Sequence, residues 1–186
     1  MLHDDSSRYD RVAIALHWLI ALALLCQIGF GFLLDDIAPR NTPSRAGVIN
    51  LHKSIGIVLG LAIFVRLGWA LSHRAPTLPA WMPGWELALA RWSHRLLYLC
   101  MIIMPLSGYI ASNHSKYGVK FFGHQWAPWG SEDKEIYAFF NVTHKTTAII
   151  FALLIAMHVA AAMRHALRRN GIFHRMLPLS RRMPHD

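Results

Sequence analysis

The sequence VINLHKSIGIVLGLAIFVRLGWAL, residues 48–71, is an apolar run that contains only three ionisable side chains, His52, Lys53 and Arg66. The run is long enough to cross a membrane as a helix, since about 20 residues span the hydrocarbon layer. Inside a bilayer every backbone polar group must be bonded within the protein, so such runs are expected to be helical. Three further runs of this kind cover residues 12–34, 87–111 and 136–167.

The four runs predict an all-α fold, an integral membrane antiparallel four-helix bundle. Short connections place successive helices antiparallel and both termini on one side, and we expect residues 112–135 to form the longest loop. The chain has 186 residues, of which 54% are hydrophobic and 16% are charged. Because an average soluble domain has about 25% charged residues, we predict a single membrane domain over residues 1–186, embedded in the lipid bilayer, without a soluble domain.

The basic residues indicate how the bundle is oriented. The net charge is +9, but these residues flank the apolar runs and form no stripe on a soluble fold, so we exclude nucleic acid as a partner. The side with both termini carries eleven of them, namely Arg8, Arg11, Arg74, Arg91, Arg95, Arg164, Arg168, Arg169, Arg175, Arg181 and Arg182. The other side carries Arg40, Arg45, Lys53, Lys116, Lys120, Lys134 and Lys145. The richer side is expected to be cytoplasmic.

Five histidines, His17, His52, His94, His144 and His158, lie within or just inside the predicted spans, and the spacing groups four of them in pairs. His144 and His158 are 14 residues apart, which corresponds to ~21 Å along a helix axis and ~40° around it. One face of the fourth helix therefore presents an imidazole toward each side of the membrane. Because the first helix enters from the cytoplasm and the second from outside, His17 lies at the depth of His158 and His52 at the depth of His144.

Two imidazoles that face each other across a bundle core can serve as the axial ligands of a b-type haem. We therefore predict two haem b groups per chain, one near the cytoplasmic side and one near the periplasmic side. A structural zinc ion would need four ligands at one point, and a di-iron site would need carboxylates, which the apolar runs lack. Covalent c-type haem is excluded because the chain has no CxxCH motif. We interpret Cys26 and Cys100 as apolar filler.

Three basic side chains are candidates to contact these haems. Arg66 has no carboxylate partner within the runs, so we expect it to bind a haem propionate; extension toward the cytoplasmic interface is the alternative. Lys53 and Lys145 each follow an outer histidine, and we interpret them as holding propionates or attracting an anion. Ordinary interfacial lysines are the alternative. His94 has no partner in this scheme, and contact with a quinone or a bond to backbone or water both stay open.

Five segments resemble the bacterial cytochrome b561 family. They are YDRVAIALHWLI (9–20), LHKSIGIVLGLAIFVRLGW (51–69), MPLSGYIASN (104–113), the Phe-Phe-Gly of VKFFGHQWAP (119–128) and HVAAAMRHALRRNGIFHRMLP (158–178). The resemblance covers nearly the whole chain and includes all four histidines. It implies a four-helix dihaem cytochrome of the bacterial inner membrane.

The resemblance also implies a function. The best described activity in that family is superoxide oxidase, which takes electrons from superoxide on the periplasmic side and passes them to ubiquinone. We therefore expect an oxidoreductase with superoxide as a small anionic donor and ubiquinone as the acceptor. The alternatives are a haem-bearing membrane anchor that carries electrons between a partner dehydrogenase or hydrogenase and quinone, and a haem-free transporter or scaffold. The need for a protein partner stays open.

Overall fold

A computed structural model describes residues 8–77, 79 and 81–178 of the chain. Its helices are α1 (Arg11–Phe32), the short α2 (Leu34–Ile37), α3 (Arg45–Ser72), α4 (Gly84–Asn113) and α5 (Lys134–Leu167). All of them except α2 are long and apolar enough to cross a membrane. This confirms the predicted all-α membrane architecture. Arg181 and Arg182, which we counted on the cytoplasmic side, lie outside the described residues.

The helix ends differ from the limits of the apolar runs. Helices α3, α4 and α5 begin two or three residues before their runs, because polar residues at a helix end lie in the interface and can cap the helix. At the start of α5, the Asp133 carboxylate accepts hydrogen bonds from the backbone amides of Glu135 and Ile136, at 2.9 and 3.0 Å. Helix α1 ends at Phe32, where the chain turns into α2.

The four spanning helices pack in a chain of neighbours. Helix α4 packs most extensively on α5, while α1 packs on α3 and α3 on α4. Pro105 of α4 lies against Gly60 of α3, where an added Cβ would be 3.1 Å from the Pro105 Cβ. The missing side chain at Gly60 therefore allows this close approach. The buried core along the bundle axis consists of Ile20, Ile28, Ile63, Cys100, Met101, Phe151 and Leu154.

We call the side of the bundle at which α1 begins and α5 ends the inner side, and the opposite side the outer side. On the outer side a small β-hairpin lies within the segment that we expected to be only a loop. Strands β1 (Val119–Phe121) and β2 (His124–Trp126) pair antiparallel. The two residues between them, Phe122 and Gly123, have φ of 44° and 93°, as a tight two-residue hairpin turn requires. The hairpin lies over the outer end of α3, and this contact orders the longest connection of the chain.

On the inner side, side chains join the ends of distant segments. The Asp10 carboxylate caps α1 by accepting from the backbone N–H of Ala13 at 2.8 Å, and it also accepts from the Trp69 indole N–H at 3.1 Å. The Trp18 indole N–H donates to the carbonyl of Met176 at 2.6 Å. That carbonyl belongs to the 3₁₀ helix Phe173–Met176, so the segment after α5 returns to α1.

Candidate cofactor sites

The inner pair is formed by His17 of α1 and His158 of α5. Their ring centres are 6.3 Å apart and the ring planes are inclined at 67°. Both rings are half-buried in the inner half of the bundle. A third imidazole, that of His94 on α4, lies 5.5 Å from the His158 ring. The histidine that had no partner in the sequence scheme therefore lies beside this pair.

The outer pair is formed by His52 of α3 and His144 of α5. Their ring centres are also 6.3 Å apart, and the ring planes are inclined at 88°. His144 Nδ1 lies 2.9 Å from the carbonyl oxygen of Met104. Because a carbonyl only accepts, this nitrogen carries the proton, and Nε2 of the same ring is left with its lone pair. That is the state in which an imidazole binds a metal.

Both pairs bridge helices whose backbones lie apart. In the part of the chain that the structure describes, α1 and α3 make no extensive backbone approach to α5, which packs instead on α4. The imidazoles of His17 and His52 therefore reach toward α5 across a gap. Glycines also make room for the outer rings, since an added Cβ would lie 3.1 Å from His52 Cε1 at Gly31 and 2.9 Å from His144 Nδ1 at Gly108.

The ring separation provides a test of whether haem fits these residues. An imidazole nitrogen binds a transition metal at about 2.0–2.1 Å, so two imidazoles on opposite sides of one metal have ring centres roughly 6 Å apart. Both pairs meet this requirement at 6.3 Å. Among the described residues no three His, Cys, Asp or Glu side chains converge as a metal cluster. The chemistry and spacing therefore fit a metal bound by two imidazoles, as in a bis-histidine haem.

A layer of apolar side chains separates the two pairs. Phe151 lies halfway along α5 between His144 and His158, and only 1% of its surface is exposed. Ile20 of α1 and Ile63 of α3 are buried in the same cluster. The pairs are thus at two depths, ~21 Å apart along α5, with a buried apolar core between them.

Arg66 lies in the inner half of α3 and is half-buried. Its guanidinium donates to the backbone carbonyl of Ala13 at 3.3 Å and lies 6.0 Å from the centre of the Tyr98 ring. The two ion pairs among the described residues, Arg45–Asp35 and Arg164–Glu86, do not involve it. Its single carbonyl bond leaves other N–H groups of the guanidinium available to an anionic group.

The two outer lysines have different surroundings. The ammonium of Lys53 donates to the carbonyl of Gly118 at 3.0 Å and is half-buried under the hairpin. Its neighbour Ser54 is fully buried and accepts from the backbone N–H of Phe122 at 2.9 Å. Lys145 is exposed. Lys53 therefore fastens the hairpin to α3, whereas Lys145 faces the surroundings of the protein.

One residue at the outer pair was not expected from the sequence. Gln27 of α1 is buried, with 8% of its surface exposed, and its amide nitrogen contacts both the carbonyl and the ring of His52. The available signal was a single glutamine in an otherwise apolar run. The contact between the Met104 carbonyl and His144 could not be predicted, because every residue type carries a backbone carbonyl.

Comparison with known proteins assigns these features to a family. Residues 8–179 match the family described as prokaryotic cytochrome b561. The chain is 27% identical over 173 residues to cytochrome b561 homolog 1 of Escherichia coli (strain K12), an alignment that covers 92% of this chain and 98% of that protein. It is 29% identical over 160 residues to cytochrome b561 homolog 2 of the same organism, covering 85% and 84%.

Proposed function

Because the chain belongs to the prokaryotic cytochrome b561 family of haem b-binding membrane electron-transfer proteins, we propose that it transfers electrons across the bacterial inner membrane from superoxide to ubiquinone. Superoxide reacts on the periplasmic side, and both termini lie in the cytoplasm. Two superoxide anions lose one electron each and leave as two molecules of oxygen. Ubiquinone takes up the two electrons and two protons and leaves as ubiquinol.

The observation that supports this proposal is the repeat of one geometry at two depths. His17 with His158, and His52 with His144, have the same 6.3 Å ring separation. We propose that each pair holds the iron of one haem b, which supplies reversible one-electron transfer when bound. A donor that gives one electron at the outer side suits such a pair of sites. If haem is bound, the two imidazoles of each pair would complete the ligands of its iron, and the donor would give its electron without binding the metal.

The residues around the outer pair set how an anion approaches. Lys116, Lys120 and Lys145 are exposed on that side, and exposed cations raise the encounter rate of a small anion. Lys53 has a different role in this proposal, because its ammonium is engaged with the Gly118 carbonyl. On the inner side, Arg66 offers a guanidinium to a haem propionate, a pairing that its planar donor geometry favours.

A membrane anchor for a partner dehydrogenase or hydrogenase is the second candidate. The observation that favours it is the set of large exposed aromatic side chains on the outer connection, Tyr117, Phe122 and Trp129. These rings could contact a partner or the lipid interface. Purification in mild detergent distinguishes the two functions, since an anchor should bring a second polypeptide with it and a stand-alone enzyme should not.

Haem content and its assignment to histidines form the first test. The purified protein should contain two haem b per chain by pyridine haemochrome, and both should be low-spin. Replacing His17 or His158 by Ala should remove one spectral component, and replacing His52 or His144 by Ala should remove the other. One haem per chain, or loss of the same component in His17→Ala and His144→Ala, would contradict the proposed ligands.

The rate at which superoxide reduces the haems, monitored by stopped-flow absorbance, tests whether superoxide is the donor. Lys145→Gln should slow reduction by superoxide roughly two- to fivefold at low salt, because one steering charge is lost, and added salt should shrink the difference. Reduction by a neutral chemical donor should not change. Lys53→Gln serves for comparison, because it removes the ammonium that donates to the Gly118 carbonyl and so alters the attachment of the hairpin. If superoxide does not reduce the haems of the wild-type protein, superoxide oxidation is excluded, while the assignment of the haem ligands is unaffected.

A further inference from the structure

Gln27 is the only side chain of α1 that the structure brings to the ring of His52 by a hydrogen bond within the described residues. Its amide nitrogen donates to the His52 carbonyl at 2.7 Å and lies 3.2 Å from Nδ1 of the same ring. Gly56, one turn further along α3, lies next to the amide, since an added Cβ there would be in ordinary van der Waals contact with the amide nitrogen at 3.5 Å. The contact is therefore built from both helices.

The other end of this amide is unsatisfied. Gln27 Oε1 is buried and has no hydrogen-bond partner among residues 8–77, 79 and 81–178. Burying a polar atom without a partner is costly. The Gln27 amide oxygen therefore lacks a donor, although the nitrogen of the same amide lies next to Nδ1 of His52.

Metal binding at Nε2 changes the kind of hydrogen bond that Nδ1 of His52 can make. If Nε2 binds the metal, Nδ1 carries the proton and becomes a donor, which an amide N–H cannot satisfy. The opposite ring already shows this state, because His144 Nδ1 donates to the carbonyl of Met104 at 2.9 Å. The amide oxygen and nitrogen of a glutamine have nearly the same shape, so the amide can turn over. Turned over, and drawn back from the His52 carbonyl, Gln27 presents Oε1 to Nδ1–H.

We propose that Gln27 is a positioning residue for the outer haem, whose amide oxygen accepts the Nδ1–H bond of His52 and thereby sets the orientation and donor strength of that ligand. The inference rests on the proposed function in one respect, namely that His52 binds haem iron. An acceptor on the far nitrogen makes an imidazole a stronger donor. A stronger donor stabilises the ferric state over the ferrous state and lowers the midpoint potential of the outer haem.

Redox titration of the purified full-length protein tests this role. Gln27→Leu keeps the volume and removes the acceptor, so the outer component should rise in potential while the inner one stays. Groups of this kind typically change metal affinity about 10- to 100-fold, and a tenfold change in the ferric-to-ferrous affinity ratio is about 59 mV for one electron. Gln27→Glu retains an acceptor whether or not it is ionised, so its outer component should not rise.

A glutamine on the outer hairpin provides the matched control. Gln125 donates to the carbonyl of Val119 at 3.2 Å, and within the described part of the chain it makes no hydrogen bond to His52 or His144, so Gln125→Leu should leave both potentials unchanged. The proposal is overturned if Gln27→Leu leaves the outer potential unchanged, shifts both components equally, or shifts the outer one in the same direction as Gln27→Glu.

Haem content is measured for each variant as well, because a variant without the outer haem has no outer potential to compare. If Gln27→Leu loses the outer haem, the proposal requires that Gln27→Glu retain it with a midpoint potential no higher than that of the wild-type protein. Loss of the outer haem from both variants would overturn the proposal and leave Gln27 with a packing role only. The failure of the proposed function looks different, because a wild-type protein with fewer than two haems per chain would contradict the ligand assignment before any Gln27 variant is measured.

Discussion

At the scale of single residues, two glycines leave room for the outer imidazoles because they have no side chain. An added Cβ at Gly108 would lie 2.9 Å from His144 Nδ1, and one at Gly31 would lie 3.1 Å from His52 Cε1. A free side chain could swing away from such a contact. In the proposed haem-bound state, His144 would be held between the metal and the Met104 carbonyl, and His52 between the metal and the Gln27 amide, so neither ring could move without breaking one of these contacts.

Gly31 therefore allows a prediction with a control two residues away on the same helix. Gly31→Ala should weaken or broaden the outer spectral component, because the new methyl group displaces the His52 ring. Gly29→Ala meets nothing within 4 Å and should leave both components unchanged. Haem content and low-temperature absorption spectra measure the difference. Equal spectra for the two variants would show that the outer site has room to adjust.

At the scale of elements, the hairpin is held to α3 by one buried hydroxyl and one ammonium. Ser54 accepts from the N–H of Phe122 at 2.9 Å, and its hydroxyl lies 3.3 Å from the carbonyl of Lys120. Lys53 donates to the carbonyl of Gly118. Both residues directly follow His52, so the hairpin and the outer ligand share one turn of helix.

Ser54→Ala should loosen the hairpin, since it leaves the Phe122 N–H without its acceptor. An unpaired buried group costs about 1–3 kcal/mol, and 1.4 kcal/mol is a tenfold change in an equilibrium. Tryptic cleavage after Lys120, inside β1, should therefore accelerate roughly tenfold, because this bond is accessible only in the open hairpin. Mass spectrometry identifies the cut. Ser72→Ala, which removes a hydroxyl bonded only within α3, should not change the rate.

At the scale of the whole molecule, the two ends of the bundle differ in how they are closed. The inner end is closed by the segment after α5, where Trp18 bonds the Met176 carbonyl and Arg8 bonds the Leu177 carbonyl at 2.7 Å. The outer end is closed by the hairpin and by the Arg45–Asp35 ion pair at 2.7 Å, and the Arg45 guanidinium holds the pKa of the Asp35 carboxyl below its usual range. The proposed donor and acceptor, on opposite sides of the membrane, would therefore meet different surfaces.

Orientation in the membrane is a prediction at this scale. In a variant with Cys26→Ser and Cys100→Ala, a cysteine introduced at Tyr117, which is 76% exposed on the outer connection, should react with an impermeant maleimide on intact spheroplasts. A cysteine introduced at Arg168, just after α5, should react only after the membrane is opened. The reverse pattern would place the termini in the periplasm and would contradict the proposed direction of electron flow.

The sequence by itself determined the four spans and the depths of the histidines. The spans follow from runs of apolar residues matched to the thickness of a bilayer, and the depths follow from the fixed rise of a helix applied to His144 and His158. Both are local properties that a contiguous segment carries without reference to the rest of the chain. Antiparallel connection then brought His17 and His52 to the corresponding levels.

Only the tertiary structure decided what surrounds each imidazole. The Met104 carbonyl reaches His144 across 40 positions of sequence, Gln27 reaches His52 across 25, and Lys53 reaches the hairpin across 65. Such contacts depend on the rotation of each helix about its axis and on the path of the outer connection. These are set by packing, for example by Pro105 against Gly60. Long runs of apolar residues determine which segments are helices, whereas close packing between distant segments determines which polar atoms meet.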